Sequence, residues 1–124
     1  MKSILIVEDQ SDIRRLIRWA LEVEDYAIHE ATNGAAGLAA ARNIEPDLIL
    51  LDVMMPGEMD GLQVCALLKA DPALAHIPVV LLTARAQDRD REAGQRAGAN
   101  AYLVKPFSPL ALIETVNSLI VGGP

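Results

Sequence analysis

The sequence predicts an α/β fold: a doubly wound three-layer sandwich, with a five-stranded parallel sheet covered by helices on both faces. Two observations point there. Short apolar runs at 4–7, 48–51, 79–82 and 102–104 alternate with segments of helical length. Three of these runs, 4–7, 48–51 and 79–82, are apolar at every position, the pattern of strands buried on both faces.

The elements follow in order. The first strand covers about 3–7. A helix over 12–23 carries Ile13, Leu16, Ile17, Ala20 and Leu21 on one stripe, with Ser11 as its N-cap. Residues 26–30 alternate in polarity and read as a less buried strand near an edge. Asn33-Gly34 signals a turn and cap, and an Ala-rich helix runs to Asn43 before Pro46. The third strand starts near Asp47. A helix from Asp60 or Gly61 to Lys69 offers Leu62, Val64, Cys65 and Leu68 for packing, and Asp71-Pro72 breaks it. Pro78 precedes the fourth strand. The fourth helix, over 88–97, is the least apolar and is expected to be the most loosely held; Gly98 suits a left-handed cap at its end. The fifth strand covers 101–104. Ser108-Pro109 opens the last helix, with Leu112, Ile113, Val116, Leu119 and Ile120 on its inner stripe.

Five such units suit the flavodoxin-like strand order 2-1-3-4-5, with right-handed helical crossovers. The 124 residues fit one domain, and folding at this size buries roughly two thirds of the unfolded surface. Apolar residues make up 52%, which excludes a disordered chain. The formal charge of −6 argues against direct nucleic-acid binding, which rewards basic surfaces; Arg14-Arg15 and Arg89/Arg91 are too short to offset it. Cys65 is the only cysteine, so a reducing cytoplasm is the expected setting. No stretch reaches the ~18 apolar residues of a membrane span, and the start lacks a signal-peptide core.

Four strand ends carry the chemistry. Glu8-Asp9, Asp52, Thr83 and Lys105 follow the first, third, fourth and fifth strands. Ligands bind at the carboxyl edge of such sheets, and the order 2-1-3-4-5 brings the acids into one pocket at the switch point. Clustered carboxylates repel, and a hard divalent cation relieves them. Mg²⁺ takes one or two carboxylates plus phosphate, Lys105 would neutralise phosphate oxygens, and Thr83 would donate a hydrogen bond. An aspartate beside the metal can attack phosphorus and form an acyl phosphate.

The chain resembles a two-component response regulator receiver domain of the single-domain chemotaxis type, over almost all of its 1–124 span. The matching motifs are ILIVED at 4–9, LLDVMMP at 50–56, Asp60-Gly61, LLTA at 81–84 and GANAYLVKPF at 98–107. The resemblance implies that Asp52 is the phosphoacceptor and Asp9 a direct ligand of Mg²⁺ or Mn²⁺. It implies that Glu8 supports the metal through water and that the Met54 backbone carbonyl completes the protein ligands. Thr83 and Lys105 would bind the phosphoryl group, and the peptide before Pro106 would be cis. On phosphorylation Thr83 would move toward the phosphoryl group and Tyr102 would turn inward. The surface of the fourth helix, fifth strand and fifth helix would then bind a downstream partner. The donor would be a histidine kinase or phosphotransfer protein. The domain would assist its own phosphorylation and dephosphorylation without being an enzyme in its own right.

Several features depart from the family pattern or stand outside it. Glu58 is an extra residue in the loop 56–60 and adds an acid near the site. Met54 and Arg85 sit at positions that tune phosphoryl lifetime in the family. His29 and His76 are isolated, Cys65 reads as a core residue, and Trp19 lies off the apolar stripe of its helix. Two other readings compete: a Mg²⁺-dependent aspartyl-phosphate phosphohydrolase, which needs a cap insertion the sequence lacks, and a phosphorylation-independent binding module. A stand-alone regulator and a receiver from a longer protein both fit the ending Gly122-Gly123-Pro124, and a weak homodimer through the fourth and fifth helices fits the family.

Overall fold

Each apolar run becomes a parallel strand and each intervening segment a helix. The computed structural model describes residues 1–84 and 87–121; Arg85 and the ending Gly122-Gly123-Pro124 lie outside them. The strands are β1 (Ser3–Val7), β2 (Ala27–Ala31), β3 (Leu48–Asp52), β4 (Val79–Thr83) and β5 (Ala101–Val104). The helices are α1 (Ser11–Glu22), α2 (Gly34–Ile44), α3 (Gly61–Ala70), α4 (Asp88–Arg96) and α5 (Pro109–Val121). The sheet runs β2-β1-β3-β4-β5 with every pairing parallel, the flavodoxin-like order.

Alternation along the strands builds two cores. Leu5, Val7, Ile49, Leu51, Val79 and Leu81 face one side, where Leu38 and Ala41 of α2 and Val64, Cys65 and Leu68 of α3 cover them. Ile4, Ile6, Leu48, Leu50, Val80 and Leu82 face the other, under Ile17 and Leu21 of α1 and Leu112 and Val116 of α5. Two-sided cover leaves β1, β3 and β4 no room for polar residues until they emerge at the carboxyl edge.

Local signals set most helix starts. Asn33 accepts a hydrogen bond from the Ala36 N–H at 2.8 Å, and Ser108 Oγ accepts from Ala111 at 3.0 Å. Asp60 and Gln63 form a reciprocal capping box at the start of α3. Gly98 ends the α4 segment at φ 94°, a left-handed conformation that favours glycine.

The structure corrects some expectations. Ser11 is not the N-cap of α1. Gln10 takes that position, because its carbonyl already accepts the Arg14 N–H at 3.1 Å. Leu16 leaves the core stripe and is 36% exposed, beside Ile13 and Phe107 in a surface groove. Strand β2 starts at Ala27, one residue later than its alternation suggested. In agreement with the reading of α4 as the least apolar helix, Gly94 is the only buried position among its described residues.

Candidate functional site

Register brings the polar strand ends together. Val7 pairs with Leu51, so Glu8 emerges level with Asp52, the last residue of β3. Asp52 pairs with Leu82 and Thr83 with Val104, so Thr83 extends one residue and Lys105 two residues further along the same edge. Among the described residues, Glu8, Asp52 and Thr83 are the three buried polar or charged ones, while Asp9 is exposed. The Lys105-Pro106 peptide is cis.

Hydrogen bonds and charge define the pocket. Lys105 Nζ donates to Glu8 Oε1 at 2.6 Å and lies 3.3 Å from Asp52 Oδ1. The Met54 N–H donates to Asp52 Oδ1 at 3.2 Å, and the Gln10 N–H to Glu8 Oε2 at 3.3 Å. Burial lifts the Glu8 carboxyl to about 7; the Lys105 ammonium opposes this, and the neighbouring Asp52 carboxyl adds to it. One carboxylate oxygen each from Glu8, Asp9 and Asp52 falls within a 4.8 Å cluster.

This donor set fits a hard divalent cation. Glu8 and Asp52 share the Lys105 ammonium, all three clustered carboxylates offer oxygen donors, and Asp9 opens to solvent. A cleft of about 200 Å³ lined by Asp9, Gln10, Asp52, Met54, Ala84 and Lys105 leaves space beside them. Glu8 does not line that cleft, and its complete burial against Lys105 separates its part from that of Asp9.

Close backbone packing supports Asp52 from behind. The Gly61 N–H donates to the Val53 carbonyl at 2.9 Å, and the Val53 N–H to Leu82 at 2.9 Å. A Cβ on Gly61 would lie 2.2 Å from the Asp52 carbonyl oxygen, so only glycine lets α3 start this near β3.

Other singled-out residues fall elsewhere. Glu58 is outside the acidic cluster and lines a separate cleft with Thr32, Asn33 and Met59. Tyr102 is half-buried on β5, with the Arg91 guanidinium 5.6 Å from its ring centre. Among the described residues, neither His29 nor His76 joins a metal-ligating cluster. Cys65 is buried, and burial pushes its thiol up to about 11. Trp19 is 65% exposed. No helix among the described residues is long and apolar enough to cross a membrane. Sequence reasoning missed Arg14, which was read only as half of a short basic pair. Its guanidinium donates to the Glu8 and Asp9 carbonyls, and its place one helical turn beyond the acidic pair was the available signal.

Comparison with known proteins agrees with this geometry. Residues 4–117 match the family model of the response regulator receiver domain. Transcriptional regulatory protein ResD of Bacillus subtilis (strain 168) is 44% identical over 117 residues, covering 94% of this chain and 47% of that protein. Response regulator PleD of Caulobacter vibrioides (strain NA1000 / CB15N) is 47% identical over 116 residues, covering 94% of this chain and 25% of that protein. The chain thus spans about half the length of one relative and a quarter of the other. The solved structure of the chemotaxis response regulator CheY4 of Vibrio cholerae superposes with a TM-score of 0.90 at 29% identity, covering 96% of this chain and 98% of that chain. With the strand order, the acidic cluster and the family match in agreement, the chain belongs to the response regulator receiver domains of two-component systems.

Proposed function

We propose that this domain is a phosphorylation-dependent switch in which Asp52 accepts a phosphoryl group from a phosphohistidine of a kinase or phosphotransfer protein. The observation that carries this reading is the buried Asp52 carboxylate, held between the Lys105 ammonium and the backbone N–H of Met54 at the edge of an open acidic cleft. An Asp52 carboxylate oxygen attacks phosphorus, the bond from phosphorus to the donor imidazole breaks, and the imidazole leaves with a proton. The product is an acyl phosphate on Asp52.

Asp9, Asp52 and the Met54 carbonyl would hold Mg²⁺ or Mn²⁺, with Glu8 supporting from behind. The ion supplies charge neutralisation for the phosphoryl oxygens. Lys105 neutralises the same oxygens as a point charge, and the Thr83 hydroxyl donates to them after transfer. Movement of Thr83 and Tyr102 then changes the surface of α4, β5 and α5 that a downstream protein reads. The same pocket admits water for dephosphorylation. The setting is cytoplasmic, and self-association is weak and runs through α4 and α5.

Intact-mass spectrometry with Mg²⁺ and a small phosphodonor tests the reading. A single phosphoryl adduct is expected on the wild-type chain and none on Asp52→Asn. Steady turnover of phosphate esters with no adduct would identify a phosphohydrolase. No Mg²⁺-dependent change at all would identify a phosphorylation-independent module.

A further inference from the structure

We infer that Arg14 is a positioning residue for the acidic pocket: it fixes the direction of Asp9 and thereby sets divalent-ion affinity, with Glu30 orienting it. The inference rests on the reading of the pocket as a Mg²⁺ site. Arg14 Nη1 donates to the Glu8 carbonyl at 2.8 Å and to the Asp9 carbonyl at 3.0 Å. Those carbonyls belong to the two peptide planes on either side of the Asp9 Cα. Holding both planes fixes the Asp9 backbone and the direction of its Cβ.

Asp9 depends on this support. Its carboxylate makes no hydrogen bond or ion pair among the described residues, and the residue is exposed. Glu8, by contrast, is braced through its side chain by Lys105 and the Gln10 N–H, and through its backbone N–H by the Ala31 carbonyl at 3.0 Å. Groups that orient metal ligands without touching the metal control affinity through such contacts.

Arg14 is itself held. Its Nε donates to Glu30 Oε1 at 2.9 Å, and Glu30 Oε2 accepts from Arg18 Nε at 2.9 Å and Nη2 at 2.6 Å. The Glu30 carboxyl is partly buried, which alone would raise it, yet the two arginines hold it below its ordinary value, so it stays ionised. Arg14 is 18% exposed in its side chain. A guanidinium can serve two carbonyls and a carboxylate at once from a planar fork; an ammonium cannot reproduce that geometry.

Calorimetric Mg²⁺ titration of the unphosphorylated chain tests the inference, alongside amide NMR of Asp9 and Gln10. Arg14→Gln is expected to weaken Mg²⁺ binding about tenfold and to shift both amides, while phosphorylation at saturating Mg²⁺ still reaches completion. Arg14→Lys recovers part of the lost affinity. Glu30→Gln keeps Arg14 but loosens its Nε, so it weakens binding by a smaller factor; it carries the test if Arg14→Gln does not fold. Unchanged Mg²⁺ affinity in folded Arg14→Gln, or in Glu30→Gln should that variant stand in, overturns the inference alone. A wild-type chain that binds no Mg²⁺ overturns the reading of the pocket and this inference with it.

Discussion

The Lys105 ammonium lies closer to Glu8, at 2.6 Å, than to Asp52, at 3.3 Å. The pocket therefore rests with its cation on the fully buried carboxylate and only partly on the phosphoacceptor. Removing one member of a buried pair leaves the other charge without compensation, typically at a cost of about 3 kcal/mol. Lys105→Met is expected to lower metal-free stability by about that amount at pH 8, where Glu8 is ionised. Glu8→Gln in the same chain should restore most of the loss. Urea unfolding of the two variants and the double variant, with chelator present, measures both effects; equal losses in Lys105→Met with and without Glu8→Gln would refute the coupling.

Glu8 also makes metal-free stability depend on pH in a stated direction. Its folded carboxyl sits at about 7, against 4.5 for an ordinary one, and burial is the main cause. Below pH 4.5 both folded and unfolded chains hold the proton. As pH rises to 7 the unfolded chain releases it first, so folding loses up to about 3 kcal/mol, and above that the contribution is flat. Other carboxyls titrate too, so the difference between wild type and Glu8→Gln isolates this group. The two should be equally stable near pH 4.5, with Glu8→Gln the more stable at pH 8 in chelator. Added Mg²⁺ should narrow the gap at pH 8.

Much of this was legible in the sequence because two-sided cover forces continuous apolar strands, and a polar residue can follow only where the cover ends. That logic places Glu8, Asp52, Thr83 and Lys105 at the strand ends from the sequence alone. Asn33, Asp60 and Ser108 were legible as helix starts because capping is local. The contact from Arg14 to Glu30 was not, because the residues lie 16 apart and meet only after β2 pairs beside β1 and α1 crosses over both. The preference of Lys105 for Glu8 was hidden for a similar reason. It depends on burial and on the reach of one side chain across the sheet edge. Ser11 failed as a cap because both it and Gln10 precede the periodic stripe, and the backbone turn settled on the earlier residue.

Cys65 lies on the buried face of α3 with its thiol against the Ala97 carbonyl at 3.4 Å. Burial holds the thiol away from water, and the raised thiol at about 11 carries little thiolate at pH 8. Alkylation of the native chain should therefore proceed only through unfolding, at a rate on the order of 10³ or more below that in urea. Timed labelling with mass readout across a urea series checks this. Labelling at the unfolded rate in buffer would show that α3 opens locally.

Gly61 is the position where the site and the fold meet most tightly. Its Cα approaches the backbone of β3 so closely that a Cβ would stand 2.2 Å from the Asp52 carbonyl oxygen and 2.7 Å from the Val53 Cα. Backbone atoms cannot rotate aside as a side-chain tip does, so the start of α3 must shift. Overpacking of this kind costs about 1–3 kcal/mol, and Gly61→Ala is expected to fall at the upper end. The shift would also break the Gly61 N–H bond to Val53 and move the Asp52 carboxylate relative to Lys105. Phosphorylation by a small donor should then slow at saturating Mg²⁺, beyond any loss explained by the unfolded fraction. Alanine at Gly57, whose Cβ would meet nothing within 4 Å, is the control for loop strain, since that residue has φ 106° but no close neighbour. Gly57→Ala should lose stability through its backbone alone and keep the phosphorylation rate. Matching losses of rate in both variants would show that the close approach at Gly61 does not position Asp52.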